Sequence, residues 1–110
     1  MNTKIEYMYR DADNYKKYKT VILEGVLTPE EIRDLLNCLD DGEFFIAQQV
    51  GLPDAHFDRY DPESDHPWMT LDGAFTTTNA APTIKMSMHA LLERFLAAKD
   101  NWKPDEWVPE

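Results

Sequence analysis

The side chains best suited to chemistry in this chain crowd between Asp54 and His66, where Asp54-Ala-His56-Phe-Asp58 is followed by Tyr60, Asp61, Glu63 and Asp65. In an extended backbone alternate side chains share a side, so Asp54, His56 and Asp58 are expected to project together. Imidazole with carboxylate is a ligand set for divalent transition metals. A two-histidine, one-carboxylate hydrolytic centre is available from His56 and His66 with Asp58 or Asp61. The spacing follows no established metal motif. Asp58-x-x-Asp61 has the wrong step for a calcium loop, and no glycine follows it. The plainer reading is a solvated acidic loop, punctuated by Pro53, Pro62 and Pro67.

Other chemistry is sparse. The four glycines, at 25, 42, 51 and 73, are isolated turn residues rather than a phosphate loop. Gly-x-Ser-x-Gly, Cys-x-x-Cys and His-Glu-x-x-His are absent. The single cysteine, Cys38, falls beside the apolar stripe near the C-terminal end of an expected helix, where the dipole disfavours a thiolate. No catalytic residue and no cofactor is assigned.

Charge is the stronger signal. Between Glu30 and His66, eleven carboxylates face two arginines, a formal −9 within the −10 of the whole chain. Such a field repels nucleic acid and anionic lipid and attracts basic surfaces. Tyr7, Tyr9, Tyr15 and Tyr18, interleaved with Lys16, Lys17 and Lys19, have the composition of a single-strand stacking platform. That patch is small, and the tyrosines are better placed covering a sheet whose edge the lysines blunt. The acidic tail holds Trp102 and Trp107. Trp102 is expected to fold back onto the core, whereas Trp107 suits either that role or a partner contact.

The elements that must position these groups follow from local pattern. Ile5, Tyr7 and Tyr9 alternate with Lys4, Glu6 and Met8 as a half-buried strand, and Tyr18–Leu23 forms a second one across a polar loop. Thr28, Pro29 and Glu31 write a capping box with proline at the first helical position. Ile32, Leu35, Leu36 and Leu39 continue the helix toward a stop at Gly42. Glu43–Ile46 and Trp68–Leu71 read as further strands, residues 53–67 as a long loop, and Thr76–Pro82 as a polar connection. Ser87 caps a second long helix, running to about Lys99. The expected class is α+β, a small antiparallel sheet of about four strands with two helices on one face, ordered β-β-α-β-β-α. One domain spans residues 1–100, with an acidic Trp/Pro-containing tail at 101–110. One cysteine and no apolar leader point to a reducing, cytoplasmic setting.

The stretches Tyr7-Met-Tyr-Arg-Asp-Ala-Asp-Asn-Tyr-Lys, Gly42-Glu-Phe-Phe-Ile with Gln49-Val-Gly-Leu-Pro53, and Asp65-His-Pro-Trp68 resemble a group of small acidic bacterial proteins of unassigned function. That resemblance implies a free-standing cytoplasmic domain and no activity, cofactor or catalytic residue.

Three functional readings follow. The first is a non-enzymatic acidic module, of the inhibitor, immunity or antitoxin type, that meets a basic protein surface through Asp54, Asp58, Tyr60, Asp61, Glu63, Asp65 and Trp107, with Phe57 as a further anchor. The second is a metal-binding or hydrolytic domain using His56, Asp58, Asp61 and His66. The third is a structural homodimer paired through Trp68 and the exposed sheet edge.

Overall fold

Period-2 patterning at the start of the chain builds the centre of the molecule. In the computed structural model, which describes residues 1–57, 59–71 and 75–108, strand β1 covers Asn2–Arg10 and buries Thr3, Ile5, Tyr7 and Tyr9 on one face. Strand β2, Lys16–Glu24, pairs antiparallel with β1 along its whole length, from Asn2↔Glu24 to Arg10↔Lys16. The other edge of β1 is shared. Strand β4, Trp68–Leu71, takes Tyr7 and Met8, and strand β5, Thr76–Thr78, takes Asn2–Lys4. Strand β3, Phe44–Ile46, closes the sheet against β4, giving the order β2-β1-β4-β3 with β5 beside β1. Each of these strand pairings is antiparallel, as expected.

Two helices cover the inner face. Helix α1, Pro29–Leu36, begins with the expected capping box: the Glu31 backbone N–H donates to Thr28 Oγ1 at 3.2 Å, and Glu31 Oε1 accepts from the Thr28 backbone N–H at 2.9 Å. The hydrogen bond from Thr28 holds the Glu31 carboxyl below its ordinary range, with help from His89. Thr28→Ala removes this cap and is expected to cost about 1 kcal/mol, read from the urea midpoint. Helix α3, Met88–Ala98, is capped by Ser87, whose Oγ accepts from Ala90 N at 3.1 Å. It buries Met88, Leu91, Leu92, Phe95 and Ala98. Phe95 lies 5.6 Å from Phe45, which meets Tyr7 edge-on at 5.6 Å, so an aromatic column joins helix to sheet.

Three local expectations are corrected. Helix α1 stops at Leu36 rather than near Gly42, because Cys38 and Leu39 tighten into i→i−3 bonds with Leu35 and Leu36. Gly42, at φ +70°, serves the Asp40–Phe44 turn instead. A single helical turn, α2 (Ala47–Val50), follows β3 directly and ends at Gly51 with φ +81°. Part of the supposed polar connection at Thr76–Pro82 is strand β5. The radius of gyration, 13.6 Å, matches the roughly 13 Å of one domain this size. No helix among the described residues is long and apolar enough to cross a membrane.

Candidate functional site

Strand β1 pegs the long loop from inside. The Tyr7 hydroxyl donates to the Pro53 carbonyl. The Tyr9 hydroxyl donates to Asp65 Oδ1 at 2.5 Å and accepts from His66 N at 3.2 Å. Both rings are fully buried, and desolvation raises both hydroxyls above their ordinary value of 10.0; Asp54 adds to this for Tyr7 and Asp65 for Tyr9. The Tyr9 ring lies between His56 at 4.0 Å and His66 at 5.1 Å. Lys17, on β2 beside Tyr9, donates to the His56 carbonyl at 3.1 Å and sits 6.0 Å from the Phe57 ring. Among the described residues, the 53–67 segment has no helix or strand, as expected, yet it is tied down at several points.

The histidines are set by these ties. His66 Nδ1 accepts from Trp68 N at 3.1 Å, so Nε2 carries the hydrogen and donates to Arg10 O at 2.7 Å. His56 Nε2 donates to His66 O at 2.6 Å, leaving Nδ1 3.8 Å from Asp54 Oδ1. Main chain therefore occupies both nitrogens of His66 and one of His56. Among the described residues, no three His, Cys, Asp or Glu side chains converge on a point that could hold a metal ion. Asp58, named in both the metal and the partner readings, lies outside the described residues. The Asp54 side chain is 5 % exposed, and its Oδ2 accepts from Gln48 Nε2 at 2.9 Å. Asp54 thus belongs to the interior rather than to the outward carboxylates among which it was counted.

The outward carboxylates gather from two segments. Ala12 N donates to Ser64 O at 3.0 Å, and Ser64 Oγ donates to Asp13 Oδ2 at 3.1 Å, binding the β1–β2 turn to the 61–65 stretch. Asp11, Asp13, Asp61 and Asp65 line one groove with Tyr15 and Arg59, and Glu63 stands exposed beside them. Inside the cluster the acids shape their own backbone: Asp61 Oδ1 accepts from Glu63 N and Asp65 Oδ2 from Asp61 N. Lys16 and Lys19 make no ion pair with these groups among the described residues. Asp11 and Asp13 lie in the polar loop between β1 and β2; closure of the hairpin carries them to the acidic end, which a charge count confined to 30–66 misses.

The remaining candidates are placed as follows. Cys38 is buried, its Sγ–H donates to Asp34 O at 3.2 Å, and burial pushes the thiol up, so a thiolate is disfavoured. Tyr15 and Tyr18 are exposed, unlike Tyr7 and Tyr9. Trp68, half-buried on the outer sheet face, meets Phe44 at 6.4 Å and Trp102 at 6.3 Å. Trp102 packs edge-on to Phe95 at 5.8 Å, as expected, and its Nε1–H donates to Cys38 O at 3.0 Å. Trp107 folds back as well, against His56 at 4.7 Å and Tyr60 at 5.9 Å. Comparison of the chain with protein-family models, with curated proteins and with solved structures returns no match.

Proposed function

We propose that the protein is a non-enzymatic binding module, acting in the cytoplasm, that presents Asp11, Asp13, Asp61, Glu63 and Asp65 to a basic site on another protein, in the manner of an inhibitor, immunity or antitoxin protein. The observation that supports this reading is the stitching of two acidic segments by Ala12, Ser64 and Asp13, which fixes like charges side by side. Holding them together costs repulsion that a basic partner would relieve. Exposed Tyr15 and Tyr60 flank the charges and supply contact area at low entropic cost.

Charge complementarity acts mainly on the encounter rate. For a partner captured at low salt and identified by mass spectrometry, the combined variant Asp13→Asn, Asp61→Asn and Glu63→Gln is expected to associate about 10–100-fold more slowly. Amide oxygens keep the local hydrogen-bond acceptors, so the fold is retained. The native association rate should fall steeply as salt is raised. An association rate indifferent to both the substitutions and the salt rejects the proposal.

A further inference from the structure

Two adjacent side chains hold the tail. Gln49 grips its base: Oε1 accepts from Lys103 N at 2.9 Å, and Nε2 donates to Asn101 O at 3.0 Å. Gln48 grips its far end: Oε1 accepts from Val108 N at 3.1 Å, and Nε2 donates to Val108 O at 2.5 Å. Both glutamines bond to backbone, the way a strand edge would, so the grip is independent of the tail's side chains. Side-chain identity is read at the two indoles.

Base and arm are seated differently. Trp102 has its N–H satisfied by Cys38 O and its ring between Phe95 and Trp68. At the far end Trp107 Nε1 is buried without a hydrogen-bond partner among the described residues, and so are Asp54 Oδ1 and His56 Nδ1 in the seat. Buried polar atoms without a hydrogen bond disfavour the closed seat, and water can satisfy them once the arm lifts. Between base and far end, the 3₁₀ turn Pro104–Glu106 is wholly exposed. The arm is therefore joined to a firm base and rests on a seat with a standing penalty.

We propose that residues 104–108 are an exchangeable occupant of this groove: the arm seats on its own chain, and the same arm of a second copy seats there reciprocally, giving a two-fold dimer. Gln48, His56 and Tyr60 meet identical groups in either arrangement, so exchange needs no new interface chemistry. The short connection through Lys103 gives the chain's own arm an effective concentration of order 1 mM. The closed monomer therefore dominates in dilute solution, and exchange emerges when protein concentration approaches that value.

Two full-length variants separate arm from groove. Trp107→Ala spoils the arm and keeps the groove; Gln48→Ala spoils the groove and keeps the arm. Each alone is expected to stay at the 12.8 kDa mass of one chain by light scattering. An equimolar mixture near 1 mM should rise toward twice that mass, because one intact arm then meets one intact groove. If Gln48→Ala does not fold, Tyr60→Ala, altering a partly exposed ring of the seat, replaces it with the same two outcomes. A mixture that remains monomeric while both variants keep the native circular dichroism overturns the proposal. This test is independent of the acidic surface, and its result leaves that reading untouched.

Discussion

Phe95→Ala is expected to remove about 3–5 kcal/mol of stability, the usual cost of emptying an aromatic site in a packed core. Phe95 is 1 % exposed and touches Phe45 on the sheet and Trp102 on the tail, so its loss opens the seam where three parts of the molecule meet. Domains of this size hold about 5–15 kcal/mol in all, so the variant should lose a large share of its stability. The measurement is the urea midpoint, with the slope held as a check that both end states keep their compactness. Because Trp102 leans on the same ring, Phe95→Ala and Trp102→Ala should be non-additive, the double variant losing less than the sum of the singles. A loss below about 1 kcal/mol would show that the column through Phe45, Phe95 and Trp102 does not organise the core.

The second large effect is alkaline. Burial holds the Tyr7 and Tyr9 hydroxyls neutral well beyond their ordinary 10.0, and both donate their hydrogen to a fixed acceptor, the Pro53 carbonyl and the Asp65 carboxylate. Above pH 10 the unfolded chain releases these two protons while the native one keeps them. The unfolded state then binds fewer protons, and stability must fall as pH rises. Each tyrosine contributes a slope of at most about 1.4 kcal/mol per pH unit, so the pair should cost about 3 kcal/mol between pH 10 and 11.5. Below pH 10 the contribution is complete and flat. Urea midpoints across that range test it, with Tyr7→Phe and Tyr9→Phe each removing one proton from the slope. Equal slopes in native and substituted proteins would mean that neither hydroxyl is held by the fold.

What could be read in advance depended on how far a residue's partner lies along the chain. The β1 alternation and the Thr28 and Ser87 caps are local chemistry, complete within a few residues, and the structure reproduces them. The end of α1 was misplaced because a glycine is equally at home in the Asp40–Phe44 turn, and no local rule separates the two uses. Strand β5 consists of three threonines with no apolar alternation; it exists because Asn2–Lys4 offers an unpaired edge. Helix α2 is too short to carry a period. In the site, the cluster of acids near residue 61 was legible as charge. The inward turn of Asp54 was not, since it depends on Gln48, and the grip of Gln48 and Gln49 on the tail joins positions more than fifty residues apart. Distant polar pairs leave no periodic trace.

The division of one edge of β1 between β4 and β5 also governs how the chain is made. During synthesis, β1 and β2 leave the ribosome early and can zip as a hairpin, but the second edge of β1 stays open until residues 68–78 emerge. At about 5–20 residues per second, that edge waits for several seconds with Tyr7 and Tyr9 uncovered. Nascent chains are thus at their stickiest between the emergence of β2 and that of β4, and a pause placed before β4 should lower the yield of folded protein more than the same pause placed after β5.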